Sequence, residues 1–175
     1  MDPKPEARNA TPLEQPGVSF RFMREGEEGV VCNLVNRVFD LSVAPLYSKK
    51  GLLNFKKYAD PEEMCARVHS DHFVLLALAD GEIIGMIEMR RHRHISLFFV
   101  EQEFQGKGLG GELLSLAVEI CLSNSSPLRE MTVNSSPNAV KAYERMGFQS
   151  TGEEQNISGV RSVPMVKVLG EENKR

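Results

Sequence analysis

The stretch "FFVEQEFQGKGLGGELL", residues 98–114, combines three local patterns. It begins with the end of an apolar run typical of a β-strand, crosses a polar connector, and carries closely spaced glycines before an apolar helical pattern. Gly106, Gly108 and Gly110 allow the main chain to curl so that several N–H groups point at one place, and a helix that starts there adds its positive dipole end. The stretch predicts a pyrophosphate-binding loop; the simpler alternative is a flexible glycine turn.

The glycines fit two phosphate-binding patterns. Gly106, Gly108 and Gly111 match G-x-G-x-x-G, whereas Gln105 with Gly108 and Gly110 matches Q-x-x-G-x-G. In a dinucleotide-binding fold the glycines follow the first strand directly. Here they follow at least the fourth predicted strand, and a polar connector intervenes, so the context disfavours that fold. A Walker-type loop is excluded because the lysine of the stretch is not followed by Ser or Thr.

The rest of the chain predicts an α/β fold with a mixed sheet. Apolar alternation and turn signals favour strands, whereas apolar residues at helical spacing favour helices. The predicted strands are 18–24, the two arms of a hairpin within 72–90 that turns at Asp80-Gly81, 94–100, 129–133, and two late strands near 148–154 and 161–169. The predicted helices are 27–43, one that opens at Asp60-Pro61, 109–122, and one that has Ser136 as N-cap and Gly147 as its end. Strands outnumber those of a repeating βα pattern, so we expect helices on both faces of the sheet.

Length and charge narrow the functional classes. A chain of 175 residues suits one domain. A net charge of −3 argues against nucleic-acid binding through bulk electrostatics.

Residues 1–17, with four prolines, predict a disordered tail before a domain at 18–169, and residues 170–175 form a second tail. No apolar run approaches the roughly 20 residues that span a bilayer, and no leader is visible, so we expect a cytoplasmic protein with no membrane partner. Three widely spaced cysteines are expected to be reduced and buried.

Two segments together resemble the GNAT superfamily of N-acetyltransferases: "FFVEQEFQGKGLGGELL" and, about 30 residues later, "NSSPNAVKAYERMGF" with its N-A-x-x-x-Y-x-x-x-G-F spacing. The resemblance covers roughly residues 18–169. It implies a single domain whose mostly antiparallel mixed sheet has about seven strands flanked by about four helices. The chain departs from many members at Gln105, where they carry Arg, and at Gln102, where they carry Pro.

The resemblance implies acetyl-CoA as the acetyl donor, an unidentified amine as acceptor and no metal. It implies a ternary complex without a covalent enzyme intermediate. The oligomeric state, monomer or homodimer, stays open. The strand Phe98, Phe99 and Val100 would run beside the pantetheine arm, with an N–H group there as donor to the oxyanion, and Asn138 would also reach that arm. The implied pyrophosphate-binding residues, through their amides, are Gln105, Gly106, Lys107, Gly108, Leu109, Gly110 and Gly111.

The resemblance also implies catalytic residues. Tyr143 matches the residue that faces the CoA sulfur and would be the general acid; the alternative is a core aromatic residue. The general base is open between His94, Glu88 and a water. His92 and His94, two apart in "RRHRH", are expected on one face of a strand, and histidine titrates near neutrality. Asn134 and Ser135 could orient a water or the acceptor. For these residues and for the candidate bases, the simpler alternative is a solvated or already satisfied polar side chain. H-x-H as a metal site is weaker, because no third ligand is visible.

Two further hypotheses remain. The same fold could hold acyl-CoA without turnover, as a sensor or interaction module. For the acceptor, the resemblance directs attention to residues 41–59 and 152–163. The first range contains Lys49, Lys50, Lys56 and Lys57, which suggests an acceptor with some negative charge, although a lysine-rich surface helix is the simpler explanation.

Overall fold

The structure, a computed structural model, describes residues 17–124 and 127–170. The predicted tails lie outside these residues except for Gly17 and Gly170. The described residues form eight strands and five α-helices. The predicted α/β class with a mostly antiparallel mixed sheet is therefore confirmed, with one strand and one helix more than expected.

The strands are β1 Val18–Phe22, β2 His72–Ala79, β3 Glu82–Arg90, β4 His94–Val100, β5 Glu130–Ser135, β6 Gln149–Ser150, β7 Gln155–Ile157 and β8 Val160–Val168. The helices are α1 Glu28–Ser42, α2 Lys49–Tyr58, α3 Pro61–Val68, α4 Leu109–Asn124 and α5 Val140–Arg145. Several local signals act as predicted. The Asp60 side chain accepts from the N–H groups of Glu62 and Glu63 to start α3, and Asp80 and Gly81 turn the β2–β3 hairpin with positive φ.

The strand order is β1-β2-β3-β4-β5-β8-β6, with β7 paired to β8 outside this path. Neighbouring strands run antiparallel except β4 and β5, which are parallel. The β4–β5 pairing covers only His94–Thr132 and Ile95–Val133. Beyond Ile95, β4 stays paired with β3 and β5 stays paired with β8. The two halves of the sheet therefore diverge, leaving a gap between β4 and β5.

Helices cover both faces of this sheet. Leu113 of α4 and Tyr143 of α5 belong to one apolar cluster, whereas Val35 of α1 and Met64 of α3 belong to a second cluster on the opposite face. The β3–β4 register shifts between Glu88 and Met89, which leaves Ser96 as an extra residue in β4. This bulge changes the face of the sheet to which the side chains of the neighbouring β4 residues point. It lies where the gap opens.

Three sequence predictions need correction. Ser136 makes no side-chain cap, and residues Pro137–Ala139 form a 3₁₀ turn before α5 begins; Gly147, at φ 90°, does end that helix. The late strand predicted at 148–154 is only the two-residue β6, because the chain then leaves the sheet edge and returns as the hairpin β7–β8. Cys32 and Cys121 are buried as expected, but Cys65 is only half-buried.

Candidate active site

A cavity of about 920 Å³ lies where β4 and β5 diverge. Phe98, Phe99 and Val100 of β4 line one side, and Val133 and Asn134 of β5 line the other. Beyond Ile95 no described strand pairs with this edge of β4, so the main-chain groups that point toward the gap are open to an extended ligand. The cavity can therefore take a ligand that lies alongside β4 as a strand would.

The glycine loop closes one end of this cavity. Gly106 and Gly108 have φ of 73° and 86°, which side chains other than glycine rarely adopt, and α4 begins at Leu109. Gln105 lies beside them and its Nε2 donates to the Val100 carbonyl oxygen at 2.8 Å. This side-chain hydrogen bond ties the loop to the end of β4. The positive end of the α4 dipole thus faces the region at the end of the strand, as a pyrophosphate site requires.

The predicted loop residues contribute in different ways. Gln105, Gly106, Gly108, Gly110 and Gly111 line the cavity. The other two do not. Lys107 is exposed, with its Nζ 5.6 Å from the centre of the Phe104 ring, and Leu109 is buried in the core. Leu109 can therefore offer only its main chain to a phosphate.

Tyr143 lines the cavity from α5 and is 7% exposed. Its ring centre lies 6.1 Å from that of Phe98 and 5.3 Å from that of Phe148, so neighbours on both sides fix its position. Burial raises the pKa of its hydroxyl well above the usual value. The phenol therefore stays protonated at neutral pH and can donate a hydrogen bond into the cavity.

Asn138 also lines the cavity, from within the 3₁₀ turn Pro137–Ala139. Its Nδ2 donates to the Ser42 carbonyl oxygen at 2.9 Å, across to the end of α1. The amide is thus held between the two faces of the sheet. Its oxygen and the second N–H of Nδ2 remain as groups through which Asn138 can reach a ligand.

His94 lines the cavity at the point where β4 and β5 still pair. Its Nδ1 lies 2.8 Å from Thr132 Oγ1. Burial, followed by the positive charges of Arg90 and His72, lowers the pKa of His94 to about 4. The ring is therefore neutral at pH 7 and can accept a proton, although weakly.

The other candidate bases lie elsewhere. His92 is not on a strand face with His94: it sits in the β3–β4 turn with φ of 51°, and its ring lies 5.4 Å from that of Phe73. Glu88 is fully buried and its carboxylate accepts from Arg67 Nε at 2.7 Å and Nη2 at 3.0 Å. Neither residue lines the cavity. The Glu88 carboxylate is thus occupied by a bidentate pair outside the cavity.

Asn134 and Ser135 also differ in their position relative to the cavity. Asn134 lines the cavity, whereas Ser135 is buried and its hydroxyl donates to the Ser136 carbonyl oxygen at 2.8 Å. Of the predicted pair, only Asn134 can orient a bound molecule directly.

The sequence did not single out several residues of the cavity wall. They are Phe39, Tyr47 and Phe55 with Tyr58, Arg90 and Ser96. Their spacing matched ordinary core and surface patterns, and only the packing of α1 and α2 over β4 brings them together. The predicted lysines do not line the cavity: Lys56 pairs with Asp40 at 2.5 Å, and Lys49, Lys50 and Lys57 are not part of the wall.

No group of three or more His, Cys, Asp or Glu side chains in ranges 17–124 and 127–170 could hold a metal ion. Within the same ranges, no helix is long and apolar enough to span a bilayer.

Comparison with known proteins agrees with this geometry. The acetyltransferase (GNAT) domain family matches residues 43–169. The chain therefore belongs to the GNAT acetyltransferases. No curated protein sequence matches it significantly.

Solved structures show the same fold. A GCN5-related N-acetyltransferase from Rhodopseudomonas palustris is 18% identical, with a TM-score of 0.76 over 90% of this chain and 99% of that one. The PaiA N-acetyltransferase from Thermoplasma acidophilum, solved in complex with coenzyme A, is 18% identical, with a TM-score of 0.71 over 87% of this chain and 99% of that one. A GNAT acetyltransferase from Staphylococcus aureus is 13% identical, with a TM-score of 0.67 over the same shares.

Proposed function

We propose that this protein is an N-acetyltransferase that transfers the acetyl group of acetyl-CoA to a primary amine in a ternary complex. The observation that carries the proposal is the divergence of β4 and β5 after Ile95, which opens a cavity with a glycine loop at one end and Tyr143 in its wall. Such a cavity can hold an extended thioester and leave room for a second molecule.

The residues present fit acetyl-CoA. The loop Gln105–Gly111 offers main-chain N–H groups and the start of α4 to the pyrophosphate. The open edge of β4 at Phe98–Val100 and the Asn138 side chain offer hydrogen bonds to the amides of the pantetheine arm. A main-chain N–H of the same strand is placed to stabilise the oxyanion that forms when an amine attacks the acetyl carbonyl.

In this reaction the nitrogen of the amine forms a bond to the acetyl carbon, the C–S bond breaks, and the sulfur leaves with the electron pair. The amine must first be neutral, because an alkylammonium ion has a pKa of about 10.4. His94, neutral at pH 7, can accept a hydrogen bond or proton from the amine, directly or through a water. Its low pKa makes it better suited to hold the neutral amine than to deprotonate a distant ammonium ion.

Tyr143 would act on the leaving sulfur. Its raised pKa makes complete proton transfer to a thiolate unfavourable, since a thiol ionises near pH 8.5. The hydroxyl instead stabilises the developing negative charge by a hydrogen bond, and the proton that finally reaches the sulfur can come from the amine. Tyr143 is therefore proposed as the hydrogen-bond donor at the sulfur.

The alternative function is acyl-CoA binding without turnover. The low pKa of His94 favours it, because a strong base is then missing from the described wall of the cavity. The two functions share the donor site and differ only in whether an amine is acetylated.

Calorimetric titration with acetyl-CoA, CoA and NAD tests the donor site first. Binding of acetyl-CoA and CoA at micromolar strength without binding of NAD is expected. A thiol-release assay with a panel of amines then separates the two functions. Tight binding with no amine-dependent thiol release would leave a binding module, and binding of NAD alone would refute the proposed donor site.

A further inference from the structure

The cavity extends past the donor site toward α1 and α2, and we call this part the acceptor chamber. It is the portion enclosed by side chains of α1, α2, the end of β3 and the bulge of β4. The residues that define it are Phe39, Tyr47, Phe55, Tyr58, Arg90 and Ser96. His94 lies in its floor beside Arg90, because the two residues pair across β3 and β4.

Arg90 is a cation without a counter-charge. It forms no ion pair with any carboxylate in the described ranges, 17–124 and 127–170, and it reaches the chamber from the exposed end of β3. Nearby Arg67 differs, because Glu88 neutralises it through two hydrogen bonds. The lowered pKa of His94, to which Arg90 contributes, agrees with an uncompensated charge at this place. Arg90 is thus free to bind an anionic group.

The other charged residues of the cavity wall also favour an anionic ligand. Among the described residues, the only arginines that line the cavity are Arg90 and Arg145, and no Asp or Glu lines it. A polyamine or other polycation needs carboxylates to replace its water and would meet positive charge here. The charge of the wall therefore excludes a polycation and favours an acceptor with an anionic group.

Aromatic rings form the rest of the chamber. The rings of Phe39 and Phe55 are stacked with centres 3.6 Å apart, Phe55 meets Phe99 edge-on at 6.0 Å, and Tyr47 lies 5.4 Å from Phe39. Tyr58 adds a partly buried ring. Aromatic walls of this kind take up flat apolar groups.

We propose, building on the proposed function, that the acceptor is a small primary amine that carries both a carboxylate and an aromatic group. Arg90 binds the carboxylate, and the amine faces His94 and Ser96 near the bulge of β4. The partly exposed rings of Tyr47 and Phe55 contact the aromatic group, and the fully buried ring of Phe39 supports Phe55 from behind. The guanidinium suits this task because its fork of N–H donors matches a carboxylate in two parallel hydrogen bonds. This places the anion site on Arg90 and not on the lysines of α2.

L-Phenylalanine, L-phenylalaninamide and spermidine test the proposal. The amide keeps the size and the aromatic ring of phenylalanine but removes the negative charge. The amine of the amide is also less basic, so a larger fraction of it is neutral and able to attack. A preference for the acid therefore reports recognition of the carboxylate. We expect kcat/KM for phenylalanine to exceed that for the amide at least tenfold, and spermidine to be a poor acceptor.

Variants locate the recognition. Arg90→Gln should abolish the preference for phenylalanine over its amide, mainly through KM, and Arg90→Lys should restore part of it. Arg91→Gln is the matched control: it removes a neighbouring exposed arginine that pairs with Asp71 and does not line the cavity. It should leave the preference unchanged.

Calorimetry on the protein saturated with CoA gives a readout that does not need turnover. Phenylalanine should bind and its amide should bind at least tenfold more weakly, and Arg90→Gln should remove the difference. Binding of this kind without acetylation would uphold the acceptor class while refuting the proposed enzyme activity. Equal binding of acid and amide, no binding of either, or a preference for spermidine would overturn the acceptor class, whether or not some other amine is acetylated.

Discussion

Gly51 of α2 and Gly159 of the β7–β8 turn are in direct backbone contact. A Cβ built on Gly51 would overlap the Gly159 carbonyl group, and Gly159 itself has φ of 83°. Asn54 Nδ2 adds a hydrogen bond to the Ser158 carbonyl oxygen at 3.1 Å. Because Ile157, Val160 and Ser162 of this hairpin line the cavity, the contact holds one wall of the cavity against α2.

Gly51→Ala should move that wall. The added methyl collides with backbone, which cannot rotate away, so we expect a destabilisation of roughly 1–3 kcal/mol and a raised KM for the acceptor. A fall of several degrees in the midpoint of thermal unfolding would accompany it. The KM for acetyl-CoA should change little, because the donor site lies at the other end of the cavity.

Gly29→Ala is the matched control for Gly51→Ala. Gly29 also lies in the first turn of a helix, but its added Cβ would meet nothing within 4 Å. Alanine there should stabilise α1 slightly, by about 0.5–1 kcal/mol. Equal effects of the two substitutions on the melting temperature would show that the backbone contact does not constrain the hairpin.

The pair Arg67–Glu88 predicts a stability effect away from the chemistry. Glu88→Gln leaves the largely buried guanidinium of Arg67 without its counter-charge and should destabilise the fold by about 3–5 kcal/mol. The double variant Arg67→Met with Glu88→Met should recover much of this loss. Urea unfolding measures both.

Glu154→Gln is the control for that experiment. It breaks an ion pair with Arg161 in which both side chains are more than a third exposed. Such an exposed pair contributes little to stability. If Glu88→Gln were as mild as Glu154→Gln, the buried pair would not hold α3 to the sheet.

Local sequence signals predicted the elements that depend on a few neighbouring residues. Asp60-Pro61, Asp80-Gly81 and the glycines before α4 each carry the side-chain or φ requirement of one turn, so the sequence was sufficient there. The error at His92 arose because residues 91–93 form the hairpin turn, which ends the alternation that would have put it beside His94.

The acceptor side could not be predicted from local patterns. Arg90 and Phe39 are about 50 positions apart and meet one cavity only because α1 packs over the sheet at its bulge. An arginine at a strand end and a phenylalanine on a helix stripe each have an ordinary structural explanation. The structural role of Glu88 could not be predicted from the sequence either, because its partner Arg67 lies on a separate helix.

Tyr143→Phe tests the donor at the sulfur. Phenylalanine keeps the ring contacts with Phe98 and Phe148 and removes only the hydroxyl, so folding and acetyl-CoA binding should be preserved. We expect kcat to fall on the order of 10²-fold with little change in KM for acetyl-CoA. Thermal unfolding and calorimetry serve as controls for structure and donor binding. An unchanged kcat would make Tyr143 a structural aromatic residue of the core.

His94 makes stability depend on pH in a direction that can be derived. Its pKa is lowered from 6.5 to about 4 in the folded protein, so between these values the unfolded chain binds more protons. The stability due to neutral His94 is therefore fully present above pH 6.5 and is lost as the pH falls toward 4. We expect the difference in urea midpoint between wild type and His94→Asn to shrink over this window. It should be constant above it.

The difference in urea midpoint between wild type and His94→Asn removes the contribution of carboxylates that titrate at more acid pH. Glu27 is one of them, with its pKa lowered to about 2. His69→Asn, which replaces an exposed histidine, is the control variant. Adding Arg90→Gln removes the positive charge beside His94 and raises the pKa of that ring. The loss of stability on acidification should then end at a higher pH than in the wild type. A wild-type difference that stays flat from pH 7 to pH 4 would mean that His94 titrates equally in both states, and the ring would then be charged too readily at mildly acid pH to serve as the proposed partner of the amine.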